Sequence, residues 1–414
     1  MVAIGAGMLS AMSLVGKAWR VLREQGLREV VQRIGSRLDR GDDRGIGLVR
    51  FEDAEVVDWR IPHPAVADPA DRGPGPWTFA WIMSPPGENS GGHQNIFRFI
   101  RTLEQAGHRC LVYLYSTEEG VSAMGSAAVV RDSPSYPHTS AEFRMWEGDV
   151  PDDVDAIFAT GWETAYPSFR SRSSARRFYF VQDFEPWFTA PGTSSALAEA
   201  TYRFGFRGIT AGGWLEQKLH AEYGMDTARF DFGADPEHYH LVDGAGPRHE
   251  VLFYARRTTE RRGLGLGLMA LDLLAKSRPG LTINLVGEDL RGLDVPFPHQ
   301  NLHGLSVEAL GPIYNRCAAG LVLSFSNLSL LPLELLASGT IPVVNDAPNN
   351  RLVSDHPEIV YTLPTPAALA EALAAVLDDP DPAGRARRAA ASVVGVDWSV
   401  AGAQFLDAVE RGMR

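Results

Sequence analysis

Hydrophobic positions in this chain form short apolar runs separated by amphipathic stretches, a pattern typical of alternating strands and helices. In the first half, apolar runs predict strands over residues 79–83, 110–115, 156–159 and 177–181. A loop rich in proline and glycine, residues 84–93, follows the first strand, and residues 96–106 are predicted to form an amphipathic helix. This alternation indicates parallel βαβ units.

The same pattern restarts after a loop at residues 235–249. Strands are predicted over residues 251–254, 282–286, 320–325 and 341–345, and helices over residues 266–275, 309–317 and 332–338. The chain has 414 residues, about twice what one hydrophobic core usually organises. We therefore predict an α/β protein with two Rossmann-like domains, residues 46–235 and 248–395, followed by a C-terminal helix at residues 396–414. Because ligands bind at the carboxyl ends of parallel strands, the cleft between the domains is the expected active site.

Composition narrows the class of protein. Apolar residues make up 45% and charged residues 22% of the chain, which argues against disorder and fibrous repeats. Acidic side chains outnumber basic ones by 51 to 39, so the net charge is −12 and nucleic-acid binding is not expected. Cys110 and Cys317 are too few for a disulfide framework and lack metal-ligand spacing. These features favour a soluble cytoplasmic enzyme.

Residues 1–45 differ from the rest of the chain. Residues 1–16 carry no charged side chain but fall short of the ~20 residues needed to cross a bilayer. Residues 17–44 carry eight basic and five acidic side chains, a balance of +3 that leaves −15 for the remainder, and their apolar residues recur at helical spacing. The pattern favours either an amphipathic helix on an anionic membrane surface or a helix packed on its own domain with a solvated basic face.

Residues 321–344 are the most informative stretch. A buried strand is predicted to end at Ser324, and a loop of small polar residues precedes a helix that begins near Pro332. Backbone N–H groups in such a loop form a ready anion site, suited to a diphosphate. Glu334, in the first turn of the helix, can accept hydrogen bonds from both hydroxyls of a ribose. Its alternative role is stabilisation of the helix N-terminus.

A basic turn follows the first strand of the second half. Arg256 ends that strand, and Arg261 and Arg262 precede Gly263 at the start of a helix. A departing nucleoside diphosphate needs its charge neutralised, which arginine side chains do well. The alternative is a solvated basic turn without a ligand.

Candidate residues in the first half follow predicted strands. Gly91 and Gly92 let a ligand approach the backbone closely, and His93 is a candidate catalytic residue or a structural histidine. Asp183 is a second catalytic candidate after the fourth strand. Glu185 and Trp162 are candidates for binding the acceptor, Glu185 through hydroxyl groups and Trp162 by stacking on a sugar ring.

Asp153 and Asp155 form an Asp-x-Asp pair that imitates a metal-binding motif. The pair precedes a strand instead of ending one and belongs to an acidic turn. We predict a surface turn there and expect no metal ion.

Residues 321–344 resemble the nucleotide-binding motif of GT-B glycosyltransferases, in particular the large retaining family four. The second glutamate of that motif corresponds to Glu334, and the residues that follow it match at Ala337, Gly339, Pro342, Val343 and Val344. The first glutamate, which contacts the donor sugar in the family, falls on Ser326 and is a departure. The form Ser-Asn-x-Ser-Leu-x-Pro-Leu-Glu resembles a subgroup typified by the WsaF rhamnosyltransferases of bacterial surface glycans.

The resemblance implies a glycosyltransferase that moves a sugar, rhamnose from dTDP-rhamnose, to a hydroxyl of a growing glycan or lipid-linked acceptor with retention of configuration. It implies no metal and no cofactor besides the nucleotide-sugar donor, and a place in the cytoplasm or on the inner face of the membrane. Arg256 would clamp the diphosphate together with either Arg261 or Arg262. The nucleotide-sugar contacts would come from Ser326, Asn327, Ser329, Leu330 and Glu334.

Two other functions fit the same two-domain form. A non-catalytic protein that binds a nucleotide or glycan is favoured by Ser326 in place of the first glutamate. A nucleotide-sugar epimerase would act on the donor alone and need no acceptor.

Overall fold

The computed structural model describes residues 49–67, 72–88, 90–242, 244, 246–328 and 330–414. The predicted amphipathic helix and membrane contact of residues 1–44 lie outside them. The chain divides after Glu55 into two units, and the described part of the first holds a short helix, α1 (Phe51–Ala54). All other described elements belong to the second unit, Val56–Arg414.

The first sheet of this unit has seven parallel strands in the order β3-β2-β1-β4-β5-β6-β7. Its central strands are continuous apolar runs because helices cover both faces. The strands are β1 (Thr78–Met83), β2 (Arg109–Leu114), β3 (Glu142–Met145), β4 (Ala156–Ala159), β5 (Arg176–Val181), β6 (Arg207–Ala211) and β7 (Thr227–Phe230). The helices are α2 (Pro64–Ala67), α3 (Gly91–Gln105), α4 (Ala123–Asp132), α5 (Trp162–Arg170), α6 (Thr193–Thr201) and α7 (Gly213–Tyr223).

The second sheet has six parallel strands in the order β10-β9-β8-β11-β12-β13. The strands are β8 (Glu250–Ala255), β9 (Ile283–Gly287), β10 (Gln300–His303), β11 (Cys317–Val322), β12 (Ile341–Asn345) and β13 (Val360–Thr362). The helices are α8 (Leu264–Ser277), α9 (Val307–Arg316), α10 (Leu331–Ala337), α11 (Pro348–Arg351), α12 (Pro366–Leu377) and α13 (Pro382–Ser392). The predicted class, α/β with two Rossmann-like sheets, is confirmed.

The last helix, α14 (Trp398–Met413), returns to the first sheet. Phe405 is fully buried there, with its ring centroid 4.5 Å from that of Phe99 and 6.1 Å from that of Trp81. At the end of the helix, Arg176 Nη2 donates to the carbonyl oxygen of Arg414 at 3.1 Å. The predicted C-terminal element, residues 396–414, thus completes the core of the first sheet.

Two predicted boundaries are wrong in ways that affect the site. Helix α3 begins at Gly91, five residues before the predicted start at residue 96, because Ser90 Oγ caps it by accepting the backbone N–H of His93. Strand β11 ends at Val322, not at residue 325. There the Ser324 N–H leaves the ladder and donates to Asn345 Oδ1 at 2.8 Å.

Strand order reverses between β1 and β4 in the first sheet and between β8 and β11 in the second. Such switch points open a crevice at the carboxyl ends of the strands, where ligands bind in doubly wound sheets. Gly91 and Gly92 follow β1, Trp162 follows β4, and the basic turn and the Ser326 loop follow β8 and β11. Most predicted site residues therefore flank a switch point.

Candidate functional site

A cavity of about 590 Å³ lies between the two sheets. Helices α3 and α14 line one side, and the start of α10 with the linker at Asp235 and Tyr239 lines the other. Its volume falls within the ~300–1,000 Å³ of small-molecule sites. Leu330 and Glu334, both predicted to contact the nucleotide, are among its lining residues.

The carboxyl of Glu334 has an unusually high pKa for a glutamate. Burial between the domains raises the pKa of its carboxyl to about 7, with Asp235 adding to the effect and Arg98 opposing it. Arg98 lines the same cavity from α3, and its guanidinium carbon lies 4.2 Å from the centroid of the Trp398 ring. The sequence analysis missed Arg98, because a single arginine on an amphipathic helix carries no motif. Glu334 can accept hydroxyl groups here and changes protonation near neutral pH.

Three asparagine side chains hold the loop after β11 through hydrogen bonds to its backbone carbonyl oxygens. Asn345 Nδ2 donates to the carbonyl oxygen of Ser324 at 2.9 Å, and Asn350 Nδ2 donates to the same oxygen at 3.2 Å. Asn349 Nδ2 donates to the carbonyl oxygens of Ser324 and Ser326. All three asparagines are buried. They were missed in the sequence, where their only signal is polar residues directly after a buried strand.

The basic turn after β8 contributes three arginines with different surroundings. Arg262 Nη1 donates to Ser324 Oγ at 2.7 Å and to the carbonyl oxygen of Asn327 at 3.0 Å, and burial lowers the pKa of its guanidinium while Asp183 opposes that shift. The guanidinium carbon of Arg261 lies 3.8 Å from the centroid of the Phe188 ring. Arg256 is 41% exposed, with Nη1 4.0 Å from Glu288 Oε1. Arg262 therefore ties the turn to the Ser326 loop, and Arg256 keeps a solvent-facing side.

Asp183 brings the two domains together. Its Oδ2 accepts Ser326 Oγ–H at 3.0 Å and lies 3.3 Å from Arg261 Nε and 3.7 Å from Arg262 Nη2. Its Oδ1 accepts the Asn327 N–H at 2.7 Å. Five predicted site residues from three separate loops, those after β5, β8 and β11, thus share one buried contact.

The glycine loop after β1 has a different geometry from the predicted one. Gly91 and Gly92 are exposed and open α3, and a Cβ at Gly91 would meet no atom within 4 Å. His93 Nε2 lies 2.9 Å from the carbonyl oxygen of Ser84, and Nδ1 lies 2.8 Å from Ser90 Oγ. Since a carbonyl only accepts, Nε2 carries the proton in the neutral ring, and burial lowers the pKa of His93. Both ring nitrogens are engaged within the loop, so the catalytic role of His93 stays a prediction.

The two acceptor candidates are buried. Trp162 is 4% exposed and packs edge-on against Tyr166. A stacking platform needs an open ring face, which Trp162 does not offer in this position, so its predicted contact with a sugar stays a prediction. Glu185 Oε2 accepts the Trp162 N–H and the Tyr179 hydroxyl, and burial together with nearby Glu163 raises the pKa of Glu185 well above its usual range. Glu185 thus contacts two neighbouring elements in this structure, and its predicted contact with the acceptor stays a prediction.

Ser329 lies outside the described residues, so its predicted contact has no structural counterpart here. Over the described ranges, no group of three or more histidine, cysteine, aspartate or glutamate side chains is arranged to hold a metal ion. Asp153 lies in a turn and pairs with Arg109 at 3.3 Å. Within that same part of the chain, no helix combines the length and apolar character needed to cross a membrane.

Comparison with solved structures defines the class of fold. HepE from Anabaena, solved in complex with UDP-glucose, superposes with a TM-score of 0.61 at 15% identity over 81% of this chain and 99% of HepE. TarM from S. aureus, solved with UDP among its ligands, superposes with a TM-score of 0.63 at 7% identity over 82% of this chain and all of TarM. The protein has the GT-B fold of glycosyltransferases.

Sequence comparison finds two similarities. The family model for WsaF, C-terminal domain, matches residues 249–374. The O-antigen biosynthesis protein RfbC of Myxococcus xanthus is 33% identical over 311 residues, 70% of this chain. This chain spans about a quarter of the length of RfbC, 24%. Residues 249–374 are therefore similar to the C-terminal domain of WsaF, within a chain that has the GT-B fold.

Proposed function

We propose that this protein is a glycosyltransferase that moves a sugar from a nucleoside diphosphate donor to a hydroxyl of a bacterial surface glycan. One observation carries the proposal. Two arginines, a hydroxyl and a backbone N–H converge on Asp183, and the loop that supplies the last two leads to Leu330 and Glu334, which line the cavity. A nucleotide sugar needs both features, cations for its diphosphate and an acceptor for its ribose hydroxyls.

Each residue then has a defined task. Arg261, Arg262 and the Asn327 N–H neutralise the diphosphate as the glycosidic bond breaks, which lowers the barrier without a metal ion. Glu334 binds the ribose, and Arg256 approaches the diphosphate from its exposed side. Asp183 lies where the acceptor hydroxyl would approach from the first domain.

The finer identity of the substrates is part of the proposal. We infer dTDP-rhamnose as donor, retention of configuration, and an acceptor that is a glycan or a lipid-linked glycan on the cytoplasmic face of the membrane. The family match to WsaF and the similarity to an O-antigen biosynthesis protein support a surface-glycan substrate. Residues 1–44 would hold the enzyme at the membrane through their basic side chains.

The test is turnover of a donor panel by the purified full chain. dTDP-rhamnose, UDP-glucose and a GDP-sugar are incubated with and without a rhamnose-containing oligosaccharide, and released nucleoside diphosphate and products are separated by chromatography. We expect acceptor-dependent release from dTDP-rhamnose, lost in Glu334→Gln and kept in the control Glu222→Gln, whose side chain is 52% exposed and pairs with Lys218.

Two results would replace this function with another. Nucleotide binding without turnover of any donor would indicate a non-catalytic binding protein. Conversion of the donor sugar to an isomer without any acceptor would indicate an epimerase.

A further inference from the structure

The carboxylate of Asp183 occupies an anion site that belongs to the other domain. Its four partners across the cleft are Ser326 Oγ at 3.0 Å, the Asn327 N–H at 2.7 Å, Arg261 Nε at 3.3 Å and Arg262 Nη2 at 3.7 Å. The Asp183 side chain is only 9% exposed. Together with the Phe184 N–H, the four partners make five donors, more than the ~four lone-pair sites of one carboxylate, and two of them are cations.

The chemistry of this set fits a diphosphate. Two guanidinium groups carry two positive charges, whereas Asp183 supplies one negative charge. A sugar nucleotide brings two negative charges and several oxygens, which arginine forks and backbone N–H groups bind well. The donors also follow the carboxyl ends of β8 and β11, and the loop after β11 leads to Leu330 and Glu334, which line the cavity.

We propose that the Asp183 carboxylate occupies the binding site of the donor diphosphate, and that the donor must displace it to bind. The proposal rests on the function proposed above and adds an autoinhibitory contact to it. Without donor, Asp183 closes this end of the cleft. With donor, the diphosphate takes the arginines, and the freed carboxylate remains in the cleft on the acceptor side.

One hydrogen bond and the balance of charge make the exchange feasible. Asp183 Oδ1 also accepts the N–H of its neighbour Phe184 at 2.8 Å, so the carboxylate keeps a partner after it leaves the arginines. The incoming anion neutralises Arg261 and Arg262, so no buried cation is left unpaired. Opening must also break a second contact across the cleft. The side-chain amide of Asn327 donates to the carbonyl oxygens of Gln182 and Ala211 at 3.0 and 2.9 Å.

Removal of the Asp183 charge tests the displacement directly. Asp183→Asn keeps the shape of the side chain but no longer competes as an anion, so we expect it to bind inorganic pyrophosphate and UDP about tenfold more tightly than the wild type, an amount equal to ~1.4 kcal/mol. Affinities are measured by isothermal titration calorimetry on the full chain. Asp153→Asn is the matched control, because Asp153 is 64% exposed and pairs only with Arg109 in a turn.

A second pair of variants guards against effects on folding. Asp183→Ser should show the same gain, and the gain should disappear when Asp183→Asn is combined with Arg261→Gln. Equal or weaker binding by both Asp183 variants, with wild-type turnover of nucleotide sugar intact, overturns the displacement alone. Absence of pyrophosphate and UDP binding in every variant, together with absence of turnover in the wild type, overturns this inference and the proposed glycosyltransferase function.

Discussion

The two sheets share one strand order but carry opposite chemistry at the carboxyl ends of their strands. The second sheet presents Arg256, Arg261 and Arg262 and the N–H groups of the Ser326 loop, all suited to anions. The first sheet presents carboxylates at the end of β5, Asp183 and Glu185. Duplication of an architecture has therefore not duplicated a site. Each half supplies what the other lacks, and Asp183 meets the arginines directly.

The cores of the two halves differ as well. Rings fill the first core, where Trp81 stacks on Phe158 at 4.3 Å and Phe180 stacks on Phe230 at 5.4 Å. Aliphatic side chains dominate the second. The last helix, α14, adds Phe405 to the aromatic core although its sequence follows the second domain. The first half is thus completed by the end of the chain, and the second half is complete without it.

The largest expected effect on stability comes from removing the side chain that α14 adds to the first core. Phe405→Ala should lower the free energy of unfolding by ~3–5 kcal/mol, because a fully buried ring leaves a cavity among Phe99, Trp81 and Phe180. Chemical denaturation monitored by tryptophan fluorescence measures the change. Val400→Ala on the same helix is the control: this side chain is 48% exposed, so a change within ~0.5 kcal/mol is expected. Equal losses in both variants would mean that α14 does not contribute a core residue at Phe405.

The next largest effect is on nucleotide-sugar binding by Glu334 of the second domain. Glu334→Ala should weaken nucleotide-sugar binding by ~1.5–3 kcal/mol, the usual contribution of hydrogen bonds to a charged group. With a pKa of about 7, the wild-type carboxyl is mostly protonated at pH 6 and mostly ionised at pH 8. Because the ionised carboxyl is the stronger acceptor of ribose hydroxyls, affinity should rise as pH rises through 7.

Calorimetry with a nucleotide sugar measures both effects, since the diphosphate of such a donor does not titrate in this range. Glu334→Gln is the matched variant: it keeps one acceptor oxygen but should show no rise in affinity between pH 6 and 8. A pH-independent wild type, or an unchanged affinity in Glu334→Ala, would contradict the assigned role.

Sequence patterns predicted the class of fold because buried central strands read as continuous apolar runs. Strand β4 was predicted with the right bounds, and so was β12. Strand β3 was missed, since an edge strand with no buried residue, Glu142–Met145, shows no apolar run. Strands β6 and β7 were missed for another reason: Gly208 and Thr210 interrupt the apolar pattern of β6, and Arg229 interrupts that of β7.

Motifs predicted the loops of the site but not the contacts between domains. Loops next to a strand end can be recognised from local sequence, as the Ser326 loop and the basic turn were. The contact of Asp183 with Asn327 joins residues 144 positions apart, and no local pattern encodes that distance. The burial of Glu185 has the same origin, because its carboxyl accepts the Trp162 N–H at the start of α5 and its own N–H donates to the Tyr202 hydroxyl at the end of α6.

The smallest expected effect compares two helix caps of the first domain, Ser90 in the glycine loop and Ser122 at the start of α4. Ser90 caps α3, and Ser122 caps α4 by accepting the Gly125 N–H at 3.1 Å. Replacement of either serine by alanine should cost ~1 kcal/mol of unfolding free energy. Only Ser90→Ala should also raise the pKa of His93, because the Ser90 hydroxyl donates to Nδ1 and thereby favours the neutral ring. NMR titration of the His93 ring measures the shift, and an unchanged His93 pKa in Ser90→Ala would contradict the proton assignment at Nε2.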